Sequence, residues 1–509
     1  MGACTSPAEF GYLQYQGAGR TMSPMPEHSE PSPSSKPLLA AVASAIIPGV
    51  GQFIVGDRRK GTILVGIDLA IIVGLFLYMG DALTLAKLWL QPSQLAAMMI
   101  GNIVLLGYRL WAADDAYRTG RSKGPRNISP SMGAMLGAGI GIAAVLVLPH
   151  AIFGYYDIVQ YDLITTVFQS SSPTTTTVTN TSPPGTTATG GTATPTTTTT
   201  TEPEANFWES HDRLNILLIG GDFGEGRTGI RTDTMITVSI DPVSGDTAMF
   251  SVPRNWTQSP LPDGMGVWDC NCYPELINEL WVAGEQYPDA FPGPDPNPSV
   301  NAVKGVISEF LGIPIHYYAM VNLDGFVEIV DALGGVEVYV PEPVYDAKYP
   351  SEDGVNTEVI DIKPGINKFD GHLALAYTRS RNQDSDYFRM NRQRCVIEAM
   401  VEQTDPLNVL RNFQSLASVI KDTMLTDIPI EALPQLVDLK PVIDLDNLVS
   451  VRFIPPEYHL KYRDDGKPGR VPNIALVHEH VDLVIADPAR AVQELGLEQL
   501  DDVCGDPNA

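Results

Sequence analysis

The fold is decided by two stretches of sequence, LNILLIGGD (residues 214–222) and RTDTMITVSIDPVSGDTAMFSVPRN (residues 231–255). The first is a short apolar run that ends in two glycines, which is typical of a buried strand. The second holds two runs that are partly β-branched, 234–240 and 247–252, and these indicate two further strands. The intervening DPVSGD has the composition of a turn. Together they predict three consecutive strands at the start of a globular domain.

Strand and helix patterns continue downstream of these three strands. Further strands are predicted at 316–323, 336–340 and 449–454, and helices at 275–283, 301–311, 324–333, 372–377, 390–403 and 407–424. Such a mixture indicates one α/β or α+β domain over 206–460, with a central mixed β-sheet flanked by helices. The last segment, 461–509, is acidic and is predicted to be a C-terminal tail that is partly helical over 479–509.

The first third of the chain has the composition of a membrane anchor. Three apolar stretches, 61–79, 94–111 and 133–153, reach the length of about 20 residues that a spanning helix needs. A fourth, 37–55, is interrupted by PGVGQ, so a further span and a re-entrant hairpin both fit. The prediction is a helical transmembrane region over 37–156 with three or four segments, behind a disordered, cytoplasmic N-terminus at 1–36.

Basic residues predict the orientation of this region. They stand in the loops before the first and before the last of the three spans: Arg58, Arg59, Lys60, Arg118, Arg121, Lys123 and Arg126. The positive-inside rule places both loops in the cytoplasm, so the last span leads outward. The chain is therefore predicted to be a multi-pass protein of the cell membrane with an extracellular C-terminal domain. A Thr/Pro-rich extracellular linker over 157–205 would hold that domain clear of the lipid, with a reach of roughly 30 Å.

Charge is distributed unevenly along the chain. Residues 1–155 carry 11 Lys+Arg and 8 Asp+Glu, a net of +3, whereas the whole chain carries −27, which leaves −30 for the remainder. An acidic remainder argues against a nucleic-acid partner, because such binding needs a basic face to replace the counterions of the phosphates. Any cluster of arginines in this part is therefore conspicuous and suggests a site for a specific anion.

Aspartates and arginines recur at the ends of the first three predicted strands. Asp222 closes the first strand, Arg231 and Asp233 open the second, and Arg254 follows the third. If the first two strands are neighbours, Asp222 and Asp233 meet at one rim, where two carboxylates repel unless a cation lies between them. Oxygen ligands of this kind favour Mg²⁺, with Mn²⁺ as the alternative, and such a metal commonly bridges phosphates of a substrate.

A second cluster, RSRNQDSDYFRMNRQR (379–394), contains Arg379, Arg381, Arg389 and Gln393. One interpretation is a set of surface ion pairs with the neighbouring aspartates, each contributing little. The other is a phosphate site, because the planar fork of arginine donates two hydrogen bonds and stays charged. Convergence with Arg231 and Arg254 would make a pyrophosphate site. No GxSxG, HExxH or Walker sequence is present, but phosphoryl transfer needs mainly positioning and charge neutralisation.

These residues resemble the LytR-CpsA-Psr family. The resemblance is carried by LNILLIGGD (214–222), RTDTMITVSIDPVSGDTAMFSVPRN (231–255), FLGIPIHYYAMVNLDGFVEIVDALGGVEVYVPEPV (310–344) and FDGHLALAYTRSRNQDSDYFRMNRQR (369–394), in the order of the family and behind a membrane anchor. It implies a phosphotransferase of cell-wall assembly, which moves a glycopolymer from a polyprenyl-pyrophosphate carrier to peptidoglycan. The expected partners are that lipid-linked glycan, peptidoglycan and the membrane.

The resemblance also implies roles for individual residues. The metal ligands are expected to be Asp222 and Asp233. The expected pyrophosphate contacts are Arg231, Arg254, Arg379, Arg381, Arg389 and Gln393. Asp386 matches a further acidic position, and we expect it to activate the hydroxyl of the acceptor, so that the catalytic set is Arg231, Arg254, Arg379, Arg381 and Asp386.

Two other functions fit the same sequence. A polyprenyl-pyrophosphate hydrolase would use the same site with water as the nucleophile. A non-catalytic membrane-bound sensor or scaffold of the wall would bind lipid without metal dependence or turnover. The five cysteines match no zinc spacing, and their pairing cannot be read from the sequence.

Overall fold

The computed structural model describes residues 36–123, 131–168, 212–223, 229–350, 356–380, 386–403, 412–439, 441–443, 448–463, 465–467, 469–497 and 504. The chain divides into two compact units. The first comprises Met1–Gly74 and Ile103–Ala151, and the second comprises Leu75–Asn102 and Ile152–Ala509.

In its described residues, the N-terminal region consists of helices joined by short turns. Its helices are α1 (Lys36–Ile46), α2 (Val50–Ile54), α3 (Arg58–Met79), α4 (Ala82–Trp89), α5 (Pro92–Lys123), α6 (Met132–Ile142) and α7 (Leu148–Val167), the last two joined by a π-helical turn at Ala143–Val147. Three helical stretches are long and apolar enough to cross a membrane: Arg58–Met79, Pro92–Lys123 and Met135–Val167. At 11 residues, α1 falls short of the roughly 20 that a span requires.

The predicted start of the linker is displaced by α7. The sequence places the end of the membrane region at residue 156, but α7 continues to Val167, so 157–167 are helical. The remainder of the predicted linker, from 169, lies outside the described residues, as does the predicted N-terminal segment up to residue 35.

The globular domain is built from strands and helices in mixed order. The strands are β1 (Leu214–Asp222), β2 (Arg231–Ile240), β3 (Thr247–Ser251), β4 (Ser259–Pro260), β5 (Cys272–Tyr273), β6 (Tyr317–Asn322), β7 (Val336–Val340), β8 (Val344–Pro350), β9 (Thr357–Ile362), β10 (Gly365–Phe369), β11 (Met424–Thr426), β12 (Val449–Arg452), β13 (His459–Tyr462) and β14 (Arg470–Pro472). The helices are α8 (Leu280–Gln286), α9 (Pro298–Leu311), α10 (Leu323–Leu333), α11 (Gly371–Arg379), α12 (Asp386–Gln403), α13 (Phe413–Thr423), α14 (Leu433–Leu439), α15 (Ile474–Ala486) and α16 (Pro488–Leu495).

The central sheet has six strands in the order β11-β6-β1-β2-β3-β12. The pairs β1–β6 and β3–β12 are parallel, whereas β1–β2, β2–β3 and β6–β11 are antiparallel. The predicted mixed sheet is thus present. Its central strand, β1, is the apolar run quoted first, and its carboxyl end meets the beginning of β2.

Helices cover both faces of this sheet. On one face, Leu217 and Phe250 pack in a large core with Phe310 of α9 and Val481 of α15. On the other face, Met249 packs with Ile397 of α12 in a smaller cluster. Successive side chains of a strand point to opposite faces of the sheet. Since both faces are covered here, the central strands are apolar on both sides, and their sequences are nearly continuous apolar runs.

The fold continues past residue 460, where the sequence predicts a tail. β13 and β14 pair as a short antiparallel hairpin. After them, α15 buries Val477, Val481 and Val484 in the main core, each at most 1% exposed. Residues 461–497 therefore belong to the domain wherever they are described.

Four of the five cysteines form two disulfides. Cys270, in the loop that precedes β5, is bonded to Cys272, the first residue of β5. Cys395 of α12 is bonded to Cys504. The second bond joins the arginine-bearing helix to a segment 109 positions further along the chain.

Candidate active site

The site begins where the β1–β2 ladder is interrupted by a bulge. Gly220 pairs with Thr234 and Gly221 pairs with Thr232, so Asp233 is the extra residue, while Asp222 pairs with Arg231. The two glycines allow this close approach, since a Cβ on Gly221 would lie 3.0 Å from the Met320 sulfur. Asp222, Arg231 and Asp233 are thereby brought to the same end of one hairpin.

Asp233 is the centre of the observed polar network. Its Oδ2 accepts a hydrogen bond from Nη1 of Arg254 at 2.8 Å, and its Oδ1 accepts one from Nδ2 of Asn278 at 2.9 Å. Nη2 of Arg389 donates to its backbone carbonyl at 3.4 Å. Two arginines that stand 135 positions apart in sequence therefore meet at one aspartate.

The charge state of Asp233 follows from these partners. Burial acts to raise the pKa of its carboxyl, but the Arg254 guanidinium, the Asn278 amide and Arg389 oppose this and bring the pKa below its ordinary value of 3.8. Asp233 is therefore a carboxylate at neutral pH. Each of its oxygens retains a second lone pair that can face a cation.

Asn278 is a site residue that the sequence analysis missed. It lies in the 3-10 turn Ile277–Glu279 and is 7% exposed. Its backbone N–H donates to the carbonyl of Arg254 at 3.4 Å, and its own carbonyl accepts from Oγ1 of Thr232 at 3.4 Å. Asn278 thus orients Asp233 and is also hydrogen-bonded to the backbone of Arg254 and to the hydroxyl of Thr232. The sequence offers only a helical pattern at this position, which does not single out an amide.

The arginines of α12 divide into two groups. Arg389 is 4% exposed and faces Asp233, and Gln393, one turn further on, donates from Nε2 to the carbonyl of Thr378 at 3.4 Å. Arg392 instead donates from Nε to the carbonyl of Tyr377 at 2.6 Å. Arg394 donates to Oγ of Ser450 and to Asn391. Arg392 and Arg394 therefore fix α12 in place, and Arg389 is directed at the site.

Arg379 is the last residue of α11, a helix capped at its start by Asp370, which accepts a hydrogen bond from the Leu373 amide at 2.8 Å. Its guanidinium lies close enough to the Tyr349 phenol to act on the pKa of that group. Burial raises the pKa of Tyr349, and Arg379 acts against that rise, so the phenol is protonated at neutral pH. Arg379 directly follows Thr378, the residue that Gln393 contacts, and this links the end of α11 to the Arg389 face of α12.

A small cleft opens between β2, the end of β3 and α12. Its cavity volume is about 10 Å³, roughly the space of one water molecule. Its polar lining comprises Asp233, Thr234, Ser251, Arg254, Arg389 and Gln393.

The structure thus brings together Asp233, Arg254, Arg389 and Gln393 from the predicted set, with Asp222 and Arg231 on the adjoining rung of the ladder and Arg379 at the neighbouring helix end. Arg381 lies outside the described residues, as does the side chain of Asp386, whose backbone begins α12. Among the described residues, no group of three or more His, Cys, Asp or Glu side chains could hold a metal ion. Asp222 and Asp233 both lie at this end of the β1–β2 hairpin, and carboxylate oxygens are ligands that Mg²⁺ takes in proteins.

Relatives with similar sequences carry a transferase name. The chain is 28% identical over 222 residues to the polyisoprenyl-teichoic acid–peptidoglycan teichoic acid transferase TagU of Bacillus licheniformis, which covers 43% of this chain and 61% of that relative. It is 32% identical over 231 residues to TagU of Oceanobacillus iheyensis, with 45% of this chain and 63% of the relative covered. The chain thus spans less than two thirds of the length of these relatives.

Two solved structures and one family description complete the comparison. A crystal structure of protein gbs0355 from Streptococcus agalactiae aligns with a TM-score of 0.42 and 23% identity, covering 58% of this chain and 93% of that one. The crystal structure of B. subtilis TagV aligns with a TM-score of 0.38 and 24% identity, covering 53% of this chain and 96% of that one. The model of the LytR_cpsA_psr family matches residues 177–454, more than half of the 509 residues. The chain belongs to the LytR_cpsA_psr family.

Proposed function

We propose that the globular domain transfers a glycopolymer from a polyprenyl-pyrophosphate carrier to peptidoglycan, at the outer face of the cell membrane. The observation that carries the proposal is the arrangement of Arg254 and Arg389 around Asp233. In a domain with a large excess of acidic residues, two arginines that converge on one aspartate beside a small polar cleft suit an anionic ligand. The transferase names of the relatives support the same choice of reaction.

The proposed donor has the charge that this cluster requires. A pyrophosphate diester carries two negative charges, and each guanidinium can donate a pair of hydrogen bonds to phosphate oxygens. Arg231, Arg254, Arg379, Arg381 and Arg389 are proposed to hold those oxygens, with Gln393 donating beside them. Arg254 and Arg389 would serve this purpose while already being oriented by Asp233.

The proposed reaction is a phosphoryl substitution. A hydroxyl oxygen of peptidoglycan bonds to the phosphorus that carries the glycopolymer, and the bond from that phosphorus to the bridging oxygen breaks. The polyprenyl phosphate leaves with the bridging oxygen, and the hydroxyl proton passes to Asp386. The protein need only align the reacting groups and neutralise charge, which is why the absence of a serine or cysteine nucleophile is no obstacle.

A divalent cation fits this site through Asp222 and Asp233. We propose Mg²⁺, with Mn²⁺ as the alternative. When bound, the cation would neutralise charge on the pyrophosphate and so favour departure of the polyprenyl phosphate. The support is chemical, since two carboxylates at the end of one hairpin provide oxygen ligands, and Mg²⁺ commonly completes its shell with water and phosphate oxygens.

The experiment compares Arg254→Ala with Arg213→Ala in the full chain. Arg213 is a matched control because it hydrogen-bonds Ser239 and Asp246 at the opposite end of the β2–β3 hairpin. With a polyprenyl-pyrophosphate glycan and peptidoglycan as substrates, Arg254→Ala is expected to slow transfer by about 10²–10³-fold, as loss of one charge-stabilising donor does. Arg213→Ala is expected to retain the rate per folded molecule.

Product analysis separates the alternatives. Glycopolymer attached to peptidoglycan supports transfer. Free glycopolymer phosphate that forms at the same rate with and without peptidoglycan would show that the reaction is hydrolysis and not transfer. Binding of the donor without turnover, unaffected by chelation of divalent cations, would reject both reactions and leave a sensor or scaffold.

A further inference from the structure

We infer that the globular domain works while docked on the outer ends of its own membrane helices, and not as a free body at the end of a linker. The interface joins residues 413–439 of the domain to α4 and to the adjoining ends of α5 and α7. The inference depends on the proposed membrane orientation and is independent of the proposed chemistry.

An apolar cluster forms the centre of this interface. From the helices it contains Leu95 of α5 and Ile164 of α7, each 1% exposed. From the domain it contains Ile428, Ala432 and Leu433, exposed by 4–7%. Leu90, at the end of α4, packs against the same cluster.

The burial of Leu95 contrasts with the rest of its helix. A side chain that faces lipid remains exposed in a protein taken without its membrane, as Ile100 does at 62% on the same helix. Leu95 is instead covered by protein, five residues away from Ile100. Hydrophobic burial is the main favourable term in association, so this covered cluster is what would hold the domain in place.

Polar and aromatic contacts surround the apolar cluster. Lys421 of α13 is paired with Asp162 of α7 at 2.6 Å, and Lys87 of α4 is paired with Asp438 of α14. Such exposed ion pairs contribute little affinity but fix orientation. Phe413 contacts Trp89 in an edge-to-face arrangement, with ring centroids 6.4 Å apart.

The register of the sheet relates this interface to the candidate site. Tyr317 packs against the apolar cluster and pairs with Ile216 near the amino end of β1. Asp222 is at the carboxyl end of the same strand, six residues further on. At about 3.3 Å per residue, the site and the docked end of β1 lie roughly 20 Å apart. A docked domain therefore holds its arginine cluster at a fixed separation from the interface.

The test cuts the linker of the full chain in phosphatidylcholine nanodiscs that are captured through an N-terminal tag. A protease site is placed in the Thr-rich stretch 170–201. After cleavage and a wash in high salt, most of the domain is expected to stay on the tag. Complete release of the wild-type domain would overturn the inference.

A pair of variants on α4 leaves the domain sequence unchanged. Leu90→Asp places a charge at the apolar cluster and is expected to reduce retention at least tenfold. Leu85→Asp, on the exposed side of the same helix, is expected to behave as wild type. Equal retention in both variants would also overturn the inference, because another contact would then be holding the domain.

A cross-link provides a measurement that does not depend on retention. A short bifunctional maleimide should join Lys87→Cys to Asp438→Cys in the uncut chain, and should fail with Lys87→Cys and Asp482→Cys, since Asp482 is exposed on α15 outside the interface. The reverse pattern contradicts docking at this face. No donor lipid is present in either measurement, so a negative result leaves the proposed transfer reaction untouched, and failure of transfer leaves docking untouched.

Discussion

Asn278 is the residue on which the geometry of the charged cluster depends. Its amide donates to Asp233 and its backbone N–H to the carbonyl of Arg254. Substitution by alanine removes the amide and leaves Asp233 free to turn toward Arg254. Loss of an outer-shell partner of a metal ligand typically lowers affinity or activity by 10–100-fold. We expect Asn278→Ala to lower kcat/KM for transfer by that amount and to weaken Mg²⁺ binding measured by calorimetry.

Asn301 supplies the matched control for this prediction. It is equally buried, at 7% exposure, and its amide donates to the carbonyl of Asp295 at 2.9 Å inside the core. Asn301→Ala should reduce stability and leave metal affinity unchanged in the molecules that remain folded. If the two variants lose stability equally and neither changes metal affinity, Asn278 is only a structural residue.

The Asp233 carboxyl is expected to make stability depend on pH. Its pKa in the folded chain lies below the ordinary value of 3.8, so the folded state holds the carboxylate more strongly than the unfolded state does. The resulting stability is present above pH 3.8 and is lost as the pH falls through the lower pKa of the folded state. The free energies of unfolding of wild type and Asp233→Asn in urea should therefore differ at pH 7 and converge only as the pH falls below the pKa of the folded state. A difference in the free energy of unfolding that stays constant down to pH 2 would contradict the lowered pKa of Asp233.

Part of this cluster could be predicted from the sequence, because the ends of strands can be located there. Asp222, Asp233 and Arg254 stand at the ends of apolar runs, and neighbouring strands bring their ends to one edge of a sheet. Asn278 was inaccessible because the loop 255–276 must fold before its amide can reach Asp233. Arg392 and Arg394 carry the same composition signal as Arg389, and only the packing of α12 shows that their donors are used on Tyr377 and Ser450.

At the scale of elements, α12 is anchored by the disulfide between Cys395 and Cys504. In the chain-entropy account, closing a loop of about 100 residues stabilises the fold by on the order of 4–5 kcal/mol, and the separation here is 109. Replacing both cysteines with serine should lower the free energy of unfolding by up to that amount, measured by urea denaturation of the oxidised protein. Because α12 carries Arg389, transfer activity should also become more sensitive to temperature.

The other disulfide is the control within the same chain. Cys270 and Cys272 are only two positions apart, so the same account gives about 1.5 kcal/mol. Serine at both positions should therefore cost much less than serine at 395 and 504. A larger loss at the short loop would show that strain or local packing, and not chain entropy, governs these bonds.

Elements were predictable where one pattern was long and uniform. The runs at 214–219 and 234–240 agree with β1 and β2, and the apolar stretches agree with three helices of spanning length. The acidic composition of 461–509 indicated a tail and gave no sign that α15 joins the core, although Val477, Val481 and Val484 recur at helical spacing on its buried side. Net charge describes the surface of a segment, and its apolar positions decide whether it joins the core.

At the scale of the whole molecule, the folded domain extends beyond the C-terminal end of the region that the family model matches. That match ends at residue 454, whereas the domain continues through α15 and α16 to Leu495. Burying one valine contributes roughly 1.5–3 kcal/mol, so the three valines of α15 together approach the total stability of about 5–15 kcal/mol that a domain has. A chain that stops at residue 460 should therefore lack cooperative unfolding, as followed by tryptophan fluorescence in urea.

A milder substitution makes that expectation quantitative. Val481→Ala removes two methyl groups at a fully buried position against the core around Phe310, and should lower the free energy of unfolding by about 1–3 kcal/mol. Glu479→Ala, on the exposed side of the same helix, should change it by less than about 0.5 kcal/mol. Equal effects would mean that α15 is an appendage whose sequence does not matter to the core. The expected difference would instead establish that this domain needs the residues beyond 454 to complete the hydrophobic layer behind its arginine cluster.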